Sequence, residues 1–278
     1  MTDAQNWLNS VIPINRRRDI QELHIFRNGI QNDEDHEITY RDAENKYYFS
    51  LENSLTGNLD LSTFPYLEKL TIEEQFITDL NLTNCERLKT IQVTKNYLRE
   101  IIWPIQAPQL RCVNLNDNNL SARDLSCFAN FPGIVSLYLG TDKENRINYN
   151  IYNRWNGSLS HLNHLRDLEE LDINATDINE GLLYLPTDCL HHFTFGNCGR
   201  TNAGVDRFKI FLRRDVELRE GETMEDWARM DIYTTDENGN LLDENAHKIE
   251  IIEQWQQRIG RELQQQRLQA QLQVPLRQ

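Results

Sequence analysis

Few groupings in this sequence have the residue types for bond-making chemistry. His161 and His164 stand three apart, a spacing that on a helix brings both imidazoles to one face and within reach of one metal ion. No further ligand follows at a recognised spacing, and a pair of exposed histidines satisfies the same pattern. His191 and His192 are adjacent in a stretch that alternates like a strand, so they point to opposite faces. Asp236-x-Asn238-x-Asn240 opens like a calcium loop, yet Gly239 is out of place and His247 stands where the bidentate Glu belongs. The G-x-S-x-G, H-E-x-x-H and G-x-x-x-x-G-K-[ST] signatures do not occur. The five cysteines form no C-x-x-C pair and are odd in number, which reads as free thiols in a reducing compartment. The expectation is a non-catalytic protein with no metal and no cofactor.

What remains is recognition by polar and aromatic side chains carried in rows. Polar residues flank apolar pairs at Lys69/Thr71/Glu73, Thr90/Gln92/Thr94, Cys112/Asn114/Asn116, Ser136/Tyr138/Gly140, Glu170/Asp172/Asn174 and His192/Thr194/Gly196. On alternating strands these project from one face. Gln92, Thr94, Asn114, Asn116, Tyr138, Asp172 and Asn174 are the expected ligand contacts there. A second candidate set is Tyr149, Tyr152, Arg154 and Trp155, in a loop over 142–157, because clustered Tyr, Trp and Arg dominate interface energetics. A lengthened loop that tucks in its own aromatics accounts for the same residues.

The elements that must position these side chains come from three strips that superimpose. They are Leu67-Glu-Lys-Leu70-Thr-Ile72-Glu-Glu-Gln75-Phe-Ile77, Leu88-Lys-Thr-Ile91-Gln-Val93-Thr-Lys-Asn96-Tyr-Leu98 and Leu110-Arg-Cys-Val113-Asn-Leu115-Asn-Asp-Asn118-Asn-Leu120. Apolar residues fall at relative positions 1, 4, 6 and 11, with Asn or Gln at 9. Positions 4 and 6 predict a short strand with one buried face. Position 9 lies where the chain leaves that strand, and an amide there has the donors and acceptor to satisfy backbone groups of adjoining units. One unit cannot cover its own apolar row, so units must stack. Strands pack about 4.8 Å apart, whereas helical or irregular returns need about 8–10 Å, and that mismatch predicts curvature. Unit starts fall at 67, 88, 110, 134, 168 and 190, in steps of 21, 22, 24, 34 and 22. The long fourth step leaves ten to twelve surplus residues, expected on the convex side.

The ends are read separately. Residues 1–19 are expected to hold a capping helix over 2–12, with Thr2 and Gln5 as a capping box and Pro13 as the stop. The solenoid is expected over 20–200, starting with a degenerate unit at Ile20, Leu23, Ile25, Asn28 and Ile30. A β-hairpin insertion is the reading for 31–54, with Ile38/Tyr40 and Tyr47/Phe49/Leu51 on either side of Asp42-Ala-Glu-Asn-Lys46. A carboxy-terminal cap over 201–245 precedes an amphipathic, Gln-rich helix over 246–278. That helix packs on the end of the array, pairs with a second copy through 246–273 to give a homo-oligomer, or protrudes; its sequence leaves the three open. The net charge of −14 and pI near 5.0 argue against nucleic acid or an anionic membrane as partner. The opening Met-Thr-Asp-Ala-Gln-Asn lacks the regions of a secretory signal, so a cytoplasmic location is expected. Asn-x-Ser/Thr triplets at Asn81, Asn119, Asn156 and Asn174 keep a secreted module as an alternative.

The strips resemble leucine-rich-repeat proteins over about residues 20 to 198, with Gln75 standing in for Asn. Ala4-Gln-Asn-Trp-Leu8, Leu59-Asp-Leu-Ser62 and Gly181-Leu-Leu-Tyr-Leu-Pro186 look most like soluble intracellular fungal members of that family. The resemblance implies an α/β solenoid, a horseshoe with a concave parallel β-sheet capped at both ends. It also implies a scaffold for protein–protein interaction, without intrinsic catalysis, that binds a protein or peptide ligand on the concave face. Self-assembly through the carboxy-terminal helix, as an adaptor, is the alternative. The chain departs from the family pattern in the 31–54 stretch, in the overlong fourth unit and in Thr176 at the Asn place.

Overall fold

Short strands with one apolar face are stable only when other strands pair with them on both sides, and this sequence supplies such strands in series. The computed structural model describes residues 1–27, 41–43, 45–230, 233–235 and 241–272. Its main sheet has nine strands. In spatial order they are His192–Thr194, Glu170–Asp172, Ser136–Tyr138, Cys112–Asn114, Thr90–Thr94, Lys69–Glu73, Glu22–Arg27, Lys46–Leu51 and Arg41–Ala43. All neighbours pair in parallel except the last two, which are antiparallel. The protein is thus an α/β fold with parallel sheets.

The register lines up equivalent positions. Val113 faces Ile91 on one side and Leu137 on the other, and Leu171 follows, so the apolar positions form one buried spine. At the amino end Arg41–Ala43 and Lys46–Leu51 pair antiparallel as a hairpin, within the stretch where one was expected. Ile38 and Tyr40 lie outside the described residues, but Lys46–Leu51 is a full member of the main sheet, paired in parallel along all of Glu22–Arg27. It takes the outer side of that strand, and Lys69–Glu73 returns to the inner side. Tyr47 and Phe49 are buried because they extend the spine by one strand.

The opposite side of the core differs from the expected helical or irregular returns. Thr2–Asp3, Leu55–Asp60, Phe76–Asn81 and Glu100–Ile102 form a second parallel sheet. Later units add 3-10 turns at Leu125–Asn130, Leu159–Leu162 and Leu182–Tyr184, beside a short parallel pair of Asn156–Ser158 with Asp177–Glu180. Leu59, Ile77, Leu80, Leu98 and Ile101 close the core from this side.

Helix α1 (Ala4–Val11) is capped by Asp3, which accepts from Asn6 N at 2.8 Å, rather than by Thr2. Thr2 is drawn into the second sheet opposite Leu55. Ala4, Leu8 and Ile12 are buried, and Trp7 meets Phe49 edge-on at 4.8 Å. Helix α2 (Glu144–Asn148) lies in the surplus stretch. At the other end come α3 (Asp206–Leu212), α4 (Met224–Arg229, with a capping box between Thr223 and Asp226) and α5 (Glu244–Leu272). Lys248 of α5 is fully buried and donates to the carbonyls of Phe193, Met230 and Ala228 at 2.9, 2.7 and 3.3 Å. It thereby ties Phe193 O, on the last main-sheet strand, to the carbonyls at the end of α4, covering an edge that would otherwise need water or another strand. No helix of the described residues is long and apolar enough to cross a membrane.

Candidate functional site

The amides that turn the chain off each strand decide where the outward side chains end up. Asn96 donates to Ile72 O at 2.9 Å and Thr94 O at 2.8 Å, and accepts from Ile77 N. Asn118 donates to Val93 O and Leu115 O at 2.6 and 2.9 Å and accepts from Leu98 N at 3.1 Å. Gln75 accepts from Leu55 N at 2.8 Å. In the fourth unit this role belongs to Asn153, whose amide donates to Leu115 O, Leu139 O and Gly140 O and accepts from Leu120 N. The surplus residues 142–152 therefore lie between the strand and its asparagine, not on the far side of the core. Their first residues are held by Asp117, which accepts from the backbone N–H groups of Asp142 and Lys143, each at 3.2 Å.

This shift relocates the candidate loop residues. Trp155 sits two after Asn153, as Leu98 follows Asn96 and Leu120 follows Asn118, and it is 0% exposed against Phe128. It is a core residue, so the interface role expected of it is withdrawn. Arg154 is spent on Asn119 Oδ1 and on the carbonyls of Tyr152 and Asn150. Tyr152 lies between the guanidinium groups of Arg154 and Arg200, at 4.4 and 4.0 Å. Tyr149, 80% exposed, is the member of the set that stays open to a partner.

On the open face of the main sheet the register runs Tyr48, His24, Thr71, Gln92, Asn114, Tyr138, Asp172, Thr194 along one row. At the carboxy end this row sinks into a cavity of about 540 Å³ that collects Asn114, Asn116, Tyr138, Asp172 and Asn174. Five of the seven expected contacts thus meet at one place, joined by Asp142, Glu170, His192, Thr194 and Arg229. Gln92 and Thr94 lie apart from it: Gln92 donates to Glu73 at 2.9 Å, and Thr94 is buried.

Asp172 is only 3% exposed, so it forms the cavity floor rather than projecting as expected. It accepts from Asn174 N at 2.8 Å, Asn116 Nδ2 at 2.6 Å and Thr194 Oγ1 at 3.0 Å. Gly140 makes room for it, since a Cβ at that position would stand 2.6 Å from Asp172 Oδ1. Asp142 accepts from Asn174 Nδ2 at 2.8 Å, which places the two carboxylates around shared amides. Burial first, and then the neighbouring Asp142 charge, pushes Asp172 up to about 7 despite the donors around it. Burial also raises Tyr138, whose hydroxyl donates to Glu170; Tyr138 therefore acts as a neutral donor and not as a base. Glu170 is itself raised by burial, but bonds from Tyr138 and Ser136 outweigh that and hold it low.

Arg229 and Asp142 were not legible from strand spacing. Arg229 comes from α4, which folds over the sheet end where Gly196 leaves space for its side chain. The histidine pairs separate: His161 lies 3.8 Å from Asp124, while His164 bonds Phe128 O at 3.3 Å. Among the described residues no group of three or more His, Cys, Asp or Glu is placed to hold a metal ion. Asp236-x-Asn238-x-Asn240 falls outside the described residues. All five cysteines are free, Cys189 being exposed. Charged, amide and aromatic groups thus converge on a preformed hollow, an arrangement suited to binding a polar segment. No protein-family model matches the chain, and no curated protein matches it.

Proposed function

We propose that this chain is a leucine-rich-repeat solenoid that binds a protein or peptide on the open, concave face of its main sheet, as a non-catalytic scaffold in the cytoplasm. The observation that carries the reading is the hollow around Tyr138 and Asp172, where the in-register polar row, the 142–152 stretch and α4 converge on one preformed site. The ladder of Gln75, Asn96, Asn118 and Asn153 supports the repeat assignment, because each amide ties one unit to the one before.

The test is affinity capture from cell lysate with the intact chain and with Tyr138→Ala combined with Arg229→Ala. Both side chains reach the hollow without anchoring a core strand, so folding is expected to persist. Loss of specific partners supports the site; full retention of every partner removes it. A second reading, a self-assembling adaptor, is favoured by one observation. Every described side chain from Gly260 to Gln269 of α5 is exposed, including Leu263 and Leu268. Light scattering on the chain cut after Gly260 separates the two, since an unchanged mass excludes assembly through this helix.

A further inference from the structure

Away from the main sheet, α3, α4 and α5 enclose a groove of about 1040 Å³. Its floor is apolar, made by Phe211, Met224, Trp255 and Ile259, and Ile210 stands 72% exposed at its edge. Phe211 and Trp255 stack with centroids 6.0 Å apart, so the floor is a rigid aromatic surface. Three features of the walls bear on what covers it. Arg213 and Arg214, where α3 ends, are exposed and have no side-chain partner among the described residues. Arg258 on the facing helix is held by Asp215 at 2.7 Å, yet its Nε–H is buried without an acceptor. The acids nearest the floor, Asp206 and Glu225, share the ammonium group of Lys209, and Glu262 stands at the outer end. In a chain of net charge −14, Arg213 and Arg214 make this wall a local positive cluster.

We infer that the groove docks an acidic, amphipathic peptide segment of a partner protein. Its apolar side chains cover the Phe211–Trp255 floor, and its carboxylates meet Arg213 and Arg214. Free guanidinium groups favour carboxylates by paired hydrogen bonds. The recessed shape between helices suits an inserted segment; a bilayer needs a protruding apolar face, and the acidic chain as a whole repels anionic lipid. This site is separate from the hollow on the main sheet and does not depend on it.

The probe is a fluorescent synthetic peptide with leucines at i, i+3, i+4 and i+7 and glutamates between them, titrated into the full chain by anisotropy. Saturable binding that weakens with added salt is expected. Arg213→Glu with Arg214→Glu should weaken it about tenfold or more, while the charge-matched pair Arg99→Glu with Arg166→Glu should leave it unchanged. If the first pair fails to fold, as read by circular dichroism, Ile210→Asp serves instead and should weaken binding from the apolar side. The inference is overturned by an absence of saturable binding, or by equal affinity for a version with lysine in place of glutamate. It is equally overturned by unchanged affinity in the groove variants, or by preference for phosphatidylserine vesicles over the peptide.

Discussion

A buried asparagine whose amide bonds three or four backbone groups acts as part of the main chain. Asn118→Ala removes the amide from Leu98 N and Val93 O, while Leu115 O keeps its bond from Asn153, and each orphaned group costs about 1–3 kcal/mol. A loss of about 3 kcal/mol or more in urea unfolding is expected, against about 1 kcal/mol or less for Asn114→Ala, which faces the open side. Asp172 gives a pH signature of the opposite kind from an ordinary carboxylate. Its folded value near 7 lies above the unfolded value of about 3.9, so between those limits the native state holds a proton that the unfolded chain has lost. Its contribution to stability is therefore full in acid and is lost as pH rises toward and through 7. Asp172→Asn lacks that loss, so the stability gap between variant and parent should narrow from pH 5 to pH 8 in denaturant titrations. A gap that is constant or widening contradicts the shift. Gln75, Asn96 and Asn118 were readable from spacing alone. Asn153 was displaced by eleven intervening residues, 142–152, and the spacing rule pointed to Asp142 instead. The signal for it was nonetheless present: Asn153-Arg-Trp155 repeats the asparagine-x-apolar step of Asn96-Tyr-Leu98.

At the scale of elements, close approach between neighbouring units is set by small residues. Gly140→Ala forces a Cβ to within 2.6 Å of Asp172 Oδ1 and 2.8 Å of Asn174 N. Thermal unfolding should register about 1–3 kcal/mol of destabilisation, with loss of partner capture at the neighbouring hollow. Lys248→Met removes the donors for three carbonyls at the sheet end, and about 2–4 kcal/mol is expected, with faster hydrogen exchange along α5 than in Ser136–Tyr138. Alternating apolar residues made the main strands legible. The second sheet was not, because Leu55–Asp60 and Phe76–Asn81 carry no strict alternation. Equally silent were the turns before Gln75, Asn96, Asn118 and Thr176. There Glu74, Lys95, Asp117 and Ala175 adopt φ of 54°, 53°, 56° and 57°, a conformation usually marked by Gly or Asn.

For the whole molecule, α5 divides into a docked part and a free one. Ile251, Ile252 and Trp255 are buried, whereas side chains from Gly260 to Gln269 face outward. Ending the chain after Gly260 should change unfolding free energy by less than about 0.5 kcal/mol, because only exposed contacts are lost. Ending it before Lys248 should instead expose the strand His192–Thr194 and produce aggregation visible by light scattering. The sequence pattern left packing, pairing and protrusion of this helix unresolved because its apolar stripe is continuous across both parts. Burial depends on where the neighbouring strands stop, which is a property of the assembled sheet and not of the helix.

The eleven residues lodged between strand Ser136–Tyr138 and Asn153 show that a unit can be opened at this seam and resealed by its own amide. Loops of other length and composition, spliced in at the same seam, would emerge beside the Tyr138 hollow with the spine intact. The fold thus carries a natural grafting point, through which specificity can be rewritten with only the small Ile147–Ala175–Cys198 cluster disturbed.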